Sequence, residues 1–135
     1  MRSNPYTDFV DSRLEPETRE AAHEHSAVIC LAGPGAPVVY VSDAFKAHTG
    51  YDSAEAVGRN LSFLHGPKTE PEAVDAFRQL MEAGQPGTIR ITNYRKDRST
   101  FVHECEMRPI RDEAGAITHF IAIQRPLSEA DGAGD

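Results

Sequence analysis

The sequence predicts an α+β domain in which helices pack on one face of an antiparallel sheet. Two apolar runs near the start read as strands, and the turn signal Gly33-Pro34-Gly35 separates them. A middle section with helical spacing and glycine stops follows. The last third changes to the two-residue alternation that is typical of strands.

The composition fits one domain with acidic ends. The chain has 135 residues, 39% of them hydrophobic, and a formal net charge of −7. Residues 1–25 and 127–135 each contribute −3, so the middle is nearly neutral. This balance argues against a nucleic-acid or anionic-membrane partner. We predict a flexible start with a cap helix over 1–25, a domain over 26–126 and a flexible acidic tail over 127–135.

No signal peptide or long apolar run is visible in the sequence, so we predict a cytoplasmic protein with no membrane segment. Cys30 and Cys105 have no metal-ligand spacing and are expected to be reduced thiols. His23 and His25 are two residues apart, which is the wrong spacing for one helix face. We therefore predict no metal site.

The first half of the chain predicts one helix and a hairpin. The segment 14–25 is rich in Glu, Ala and Arg, and Pro16 stands in a first-turn position, which favours a short helix. The apolar runs 27–31 and 37–41 predict the two strands of the hairpin.

The middle section predicts three short helical segments and one longer helix. A helix over 44–48 ends at Gly50, a second begins after Asp52 or Ser53 and ends at Gly58, and a single turn covers 60–64. The longest helix opens at Glu70-Pro71 and ends at Gly84.

The last third predicts strands over 88–94, 100–110 and 117–124. Charged residues alternate along the fourth strand, so His103 and Cys105 are expected on its inner face. The same count places Asn93 and Gln124 on the inner faces of the neighbouring strands. Buried polar groups need partners. A bound molecule would supply them, and backbone or water near a strand end is the alternative.

Several segments resemble the light-oxygen-voltage (LOV) branch of the PAS superfamily. They are Gly58-Arg59-Asn60-Leu61-Ser62-Phe63-Leu64-His65-Gly66-Pro67, Asn93-Tyr94-Arg95-Lys96-Asp97, Tyr40-Val41-Ser42-Asp43-Ala44-Phe45 and Thr49-Gly50-Tyr51. The resemblance covers about residues 26–126. It implies a five-stranded antiparallel sheet that cradles flavin mononucleotide (FMN), usually in a blue-light sensor.

The family's cofactor contacts carry over only in part. The resemblance assigns the phosphate-binding arginine of the long helix to Arg78, the first ring-binding asparagine to Asn93 and the signalling glutamine to Gln124. His103 replaces the second ring-binding asparagine, and Cys105 lies beside it on the inner face. The expected cofactor-binding residues are Asn60, Leu61, Ser62, His65, Arg78, Asn93, His103, Cys105 and Gln124.

Three substitutions alter the expected chemistry. Leu61 stands where the family has its adduct-forming cysteine, so a flavin adduct cannot form at that position. Ser62 stands where the family has a phosphate-binding arginine, which predicts weaker FMN binding or tolerance of riboflavin. His65 replaces a glutamine and is expected to supply part of the phosphate contact, especially when protonated.

Three functional hypotheses remain open. The first is a flavin-binding sensor without the adduct, in which photoreduction turns the Gln124 amide; Tyr40, Tyr51, Tyr94 or Cys105 would donate the electron. The second is a flavin-free PAS module that binds another ligand or a protein. The third is an enzyme with a Cys105–His103 pair, which lacks a third orienting group. We predict that the chain is not an enzyme.

An apolar strip on the outer sheet face predicts an interface. Val102, Ile121 and Ile123 lie outward by the strand alternation, and either the helix over 14–25 or a second copy would cover them. We expect a homodimer through this face, flanked by the helix. The sequence leaves open whether the chain is a stand-alone sensor or the input domain of a larger protein, and which effector it contacts.

Overall fold

Five antiparallel strands form one sheet in the order β2-β1-β5-β4-β3. The computed structural model describes residues 13–127, so the predictions of a flexible start and an acidic tail lie mostly outside the described residues. The strands are β1 (Ser26–Leu31), β2 (Val38–Val41), β3 (Gly87–Tyr94), β4 (Thr100–Arg111) and β5 (Ile117–Pro126). The predicted α+β fold with its five-stranded sheet is confirmed.

The helices follow the predicted order. They are α1 (Pro16–Glu24), α2 (Asp43–Thr49), α3 (Ser53–Ala56), a 3-10 helix (Leu61–Leu64) and α4 (Pro71–Ala83). Asp52 begins α3 with a capping box, because its Oδ1 accepts from Glu55 N–H at 2.9 Å and its own N–H donates to Glu55 Oε1 at 3.0 Å. Gly84 ends α4 in the left-handed region at φ 64°.

The main core lies between the inner face of the sheet and the helices that follow β2. Val28 and Val38 from the hairpin, Phe45 from α2 and Leu64 from the 3-10 helix are buried there. Phe77 of α4 is partly buried and packs against this core. The inner core therefore holds α4 and the 3-10 helix over the central strands.

Helix α1 covers the outer face of the sheet. Ile121 and Ile123 are 0% exposed and share a cluster with Leu14 and Ala22. The expectation that these isoleucines form an exposed strip is therefore corrected: of the two predicted covers, the helix is already in place in a single chain. Val102, on the neighbouring strand β4, is half-buried.

The N-terminal cap of α4 also closes part of the edge of the sheet at β3. The Glu70 carboxylate accepts from the Thr92 N–H at 2.8 Å and from the Thr92 hydroxyl at 2.7 Å. The Thr92 carbonyl accepts from the Thr69 hydroxyl at 2.8 Å.

No helix within residues 13–127 is long and apolar enough to cross a membrane.

Candidate functional site

A cavity of about 320 Å³ lies between the inner sheet face, α4 and the 3-10 helix. This volume is within the range of small-molecule pockets. All nine residues that the sequence analysis expected at a cofactor site line it: Asn60, Leu61, Ser62, His65, Arg78, Asn93, His103, Cys105 and Gln124. The structure therefore brings the whole expected set to one cavity.

The rest of the lining is mainly apolar and was missed by the sequence analysis. Val74, Phe77 and Met81 come from α4, and Ile91 and Met107 from the sheet. The helical spacing of the α4 residues and the alternation of the strand residues were both visible in the sequence. These patterns do not show which of the inward residues face a cavity and which fill the core.

Asn93 and His103 form a buried hydrogen-bonded pair that defines the state of the imidazole. Asn93 is 4% exposed and His103 is 1% exposed, and Asn93 Oδ1 lies 2.7 Å from His103 Nε2. Asn93 Nδ2 donates to the Thr92 carbonyl at 3.2 Å, which fixes the amide with its oxygen toward the ring. Because an amide oxygen only accepts, Nε2 must carry the proton.

The other ring nitrogen of His103 is left as an acceptor. Burial, with a smaller contribution from His48, lowers the pKa of His103 to about 3, so the ring is neutral near pH 7. In the neutral ring with a proton on Nε2, Nδ1 has a free lone pair. Nδ1 is buried and has no hydrogen-bond partner among the described residues. His103 therefore offers one unused acceptor.

Gln124 offers the complementary unused donor. Its side chain is 1% exposed, and its Oε1 accepts from the Ser26 hydroxyl at 2.8 Å across the β1–β5 pair. Its Nε2 is buried and lacks a partner within residues 13–127. An unpaired buried polar atom costs about 1–3 kcal/mol. Both residues line the cavity, so a ligand with one donor and one acceptor that reaches these two atoms would satisfy them.

Asn60 holds the 3-10 helix in place. Its Oδ1 accepts from the Ser62 N–H at 2.9 Å, and its Nδ2 donates to the Gly35 carbonyl at 2.8 Å. Both ends of the amide are therefore already engaged with the protein. The next residue, Leu61, places an aliphatic side chain in the lining where the LOV resemblance expects a thiol.

The exposed end of the cavity carries charged groups. Arg78 lies 2.8 Å from Asp75 and 3.7 Å from Glu82, and Glu82 itself lines the cavity. Burial lowers the pKa of His65. The same burial favours the neutral ring, and the phosphate contact of His65 stays a prediction.

The two cysteines are poor nucleophiles. Burial raises the pKa of Cys105 to about 12 and that of Cys30 to about 11, so both thiols stay protonated near pH 7. His103 directs Nε2 to Asn93, so it does not use that nitrogen to activate Cys105. These observations weaken the hypothesis of a cysteine–histidine enzyme. Among residues 13–127, no group of three or more potential ligands could hold a metal ion.

His48 is a neighbour of the site that the sequence analysis missed. Its ring centroid lies 5.4 Å from that of His103 and 4.5 Å from that of Phe101. Burial and the nearby Arg95 charge lower the pKa of His48 to about 4. The available signal was its position three residues after Phe45 on α2, which places both side chains on one helix face.

The three tyrosines expected as electron donors lie in different places. Tyr40 packs against the cluster under α1, on the sheet face opposite the cavity, and its role as a donor stays a prediction. Tyr51 packs against the inner core and meets Phe63 edge to face. The Tyr94 hydroxyl accepts from the Lys68 N–H at 2.8 Å.

Comparisons with known proteins identify the family. A family model described as PAS domain matches residues 25–129. Rice phototropin-1A is 41% identical over 87% of this chain and 13% of its own length. Blue-light-activated histidine kinase 1 of Erythrobacter litoralis is 36% identical over 88% of the chain and 34% of its own length. The bacterioopsin transcriptional activator of Halobacterium salinarum is 32% identical over 88% of the chain and 18% of its own length.

Solved structures agree. A light-oxygen-voltage domain studied with a flavin analogue has a TM-score of 0.80 at 34% identity, covering 89% of this chain and 91% of that one. The dark structure of the Aureochrome1 LOV domain has a TM-score of 0.80 at 30% identity, covering 98% of this chain and 92% of that one. The chain spans about a third or less of the curated relatives' length. It belongs to the PAS domain family, with light-oxygen-voltage domains among its homologues.

Proposed function

We propose that the chain is a LOV-type sensory domain that binds a flavin, FMN or riboflavin, without a covalent bond. The observation that carries this proposal is that two residues lining one cavity each keep an unused buried group: the His103 Nδ1 acceptor and the Gln124 Nε2 donor. The pyrimidine edge of a flavin has a ring N–H beside carbonyl oxygens. It can therefore donate to His103 and accept from Gln124, which leaves neither group unpaired.

The apolar lining supports the same proposal. Phe77, Ile91 and Met107 offer apolar contact area to a flat ring system. Leu61 adds a further aliphatic surface and no sulfur. When bound, a flavin would supply blue-light absorption and reversible electron transfer. The chain's own residues would bind it, exclude water and hold hydrogen bonds to its edge.

The absence of a reactive thiol supports signalling without a covalent adduct. Cys105 and Cys30 line the cavity, and burial keeps both protonated. We infer that a signal begins with a change in the hydrogen bonds that the lining makes. Gln124 is the residue placed for this, because its amide already links the cavity to Ser26.

The proposed route leads from Gln124 to α1. Gln124 Oε1 holds the Ser26 hydroxyl, and Ser26 is separated from the last residue of α1 by His25 alone. The neighbouring Ile123 points the other way and packs under α1. A rotation of the Gln124 amide would therefore disturb the attachment of α1 at two points.

A homodimer through the outer sheet face is part of the proposal. Because α1 covers Ile121 and Ile123, the partner copy would pack on α1 and on the half-buried Val102. Sedimentation of Val102→Lys is expected to show a lower mass than wild type, with Gln79→Lys, exposed on α4 over the opposite sheet face, as control. An unchanged mass for Val102→Lys contradicts this interface.

We place the domain in the cytoplasm.

An absorption spectrum of the freshly purified protein tests flavin binding directly. We expect a yellow protein with a structured blue band, or a colourless one whose melting temperature rises with riboflavin or FMN. Gln124→Leu should weaken binding by about ten-fold, since it removes the donor. Gln85→Leu, at an exposed position, is the matched control.

A flavin-free PAS module is the second candidate, and one observation favours it. The Asn93 amide is satisfied by Thr92 and His103, so it turns toward the protein itself. A colourless protein that shows no thermal shift with riboflavin, FMN or flavin adenine dinucleotide (FAD) would support this module and refute the flavin proposal.

A further inference from the structure

We infer that the cavity selects a flavin without a terminal phosphate, riboflavin in preference to FMN. This inference rests on the proposed flavin function and concerns the other end of the cavity. Asn93, His103 and Gln124 are buried, whereas the side chains of Arg78 and Glu82 are 65% and 68% exposed. A flavin whose ring edge meets the buried groups would direct its polar chain toward the exposed end.

The exposed end has more negative than positive charge. The Arg78 guanidinium lies between Asp75, at 2.8 Å, and Glu82, at 3.7 Å. Two carboxylates thus stand beside one cation, and one of them, Glu82, lines the cavity together with Arg78. A phosphate dianion that reaches Arg78 must approach both carboxylates as well.

The remaining groups at this end supply no compensating cation. Arg78 is the one lysine or arginine among the described residues that line the cavity. Ser62 is uncharged, and its N–H is taken by Asn60 Oδ1. Burial favours the neutral form of His65. A phosphate would therefore meet one guanidinium, which is already paired with two carboxylates, and otherwise only an uncharged hydroxyl and a neutral imidazole.

The strength of the Arg78 ion pairs does not decide whether the cavity prefers riboflavin or FMN. Exposed ion pairs are weak, so Arg78 could leave Asp75 for a phosphate. The summed charge of Arg78, Asp75 and Glu82 decides the preference, because this sum stays the same when Arg78 changes partner. The terminal hydroxyl of riboflavin has no charge to repel and can donate to the Glu82 carboxylate.

Titrations of wild type with riboflavin and with FMN test the inference, with flavin fluorescence or calorimetry as the readout. At low salt we expect riboflavin to bind tighter than FMN by about three- to ten-fold. The difference should shrink at high salt, where the Debye length falls to about 3 Å at 1 M.

Variants at the exposed end give the matched tests. Glu82→Gln should narrow the difference between the two flavins, whereas Glu72→Gln, exposed on the same helix and outside the lining, should leave it unchanged. Ser62→Arg should reverse the preference and favour FMN by about ten-fold or more, since it adds a cation for charge-assisted hydrogen bonds. Ser62 and Glu82 are both exposed, so these changes do not disturb the core.

The outcomes separate this inference from the proposed function. If wild type binds FMN tighter than riboflavin at low salt, the inference is wrong and the flavin proposal stands. Equal affinities that respond neither to salt nor to Glu82→Gln also overturn the inference alone. If neither flavin binds, the flavin proposal itself fails.

Discussion

The unpaired amide of Gln124 predicts that the flavin-free protein gains stability when this polar pair is removed. The double variant Ser26→Ala/Gln124→Leu replaces both partners of the Ser26–Gln124 hydrogen bond with apolar groups. It also removes the buried Nε2 that has no partner among the described residues. Ser26→Ala alone leaves the Gln124 amide with no partner for its Oε1 either.

The expected magnitudes follow from the burial of these groups. Losing the Ser26–Gln124 hydrogen bond costs about 1 kcal/mol, and removing the unpaired N–H returns about 1–3 kcal/mol. The free energy of unfolding of the flavin-free double variant should therefore be between that of wild type and about 1 kcal/mol higher. Ser26→Ala alone should lose about 1–3 kcal/mol, because a buried acceptor is left unsatisfied.

Urea denaturation of flavin-free protein measures these differences. In a second series with riboflavin at 100 times the wild-type dissociation constant, wild type should gain about 2.7 kcal/mol and the double variant, which binds about ten-fold more weakly, about 1.4 kcal/mol. The stability advantage of the double variant over wild type should thus disappear when the ligand is added. If the flavin-free double variant is less stable than wild type by more than about 2 kcal/mol, Gln124 has a stabilising partner and the reasoning is wrong.

Three further predictions concern the outer face, the buried histidines and the thiols. Ile123→Ala should lower the free energy of unfolding by about 2–5 kcal/mol in urea, because Ile123 is 0% exposed under α1; a loss below about 1 kcal/mol would mean that α1 does not cover it. His103 and His48 have folded-state pKa values of about 3 and about 4, below the ordinary 6.5, so the unfolded chain binds more protons and stability falls as pH drops from about 6.5 toward 4. Urea midpoints should show this decline, and His103→Gln should reduce its slope; a slope unchanged in the variant would contradict the assignment. Cys30 and Cys105 should not react with a thiol reagent at pH 8 while the protein is folded and should both react in urea, and rapid reaction of folded protein would contradict their burial.

The secondary structure was predictable because its signals are local. Pro71 at the start of α4 and the left-handed Gly84 at its end are readable from the sequence, and the structure has both. The alternation along β4 placed His103 and Cys105 inward, and both are buried. These predictions needed only the period of the strand and the chemistry of the caps.

The polar details of the site were not predictable because they depend on which atoms meet across strands. The sequence placed Asn93 and His103 on neighbouring inner faces, but it could not show that Asn93 would turn one end of its amide to Thr92 and so set the tautomer of His103. In the same way, the sequence aligned Arg78 with a phosphate contact. Its ion pair with Asp75, one turn earlier on α4, became visible only in the structure.

The cover of the outer face was left open for a different reason. Ile121 and Ile123 were correctly placed opposite the cavity, but the choice between α1 and a second copy as their cover depends on the angle at which α1 leaves β1. That angle is set across His25, whose carbonyl accepts from the Ser42 hydroxyl at 3.3 Å. A single-residue connection carries no pattern from which such a direction could be inferred.

The Glu70–Thr92 contact at β3 has a consequence for association between chains. An edge strand normally presents free N–H and carbonyl groups to which a foreign strand can add. At Thr92 the carboxylate of Glu70 and the hydroxyl of Thr69 already occupy both groups. An incoming strand therefore cannot extend its pairing past this residue, which protects the edge against fibre-like growth.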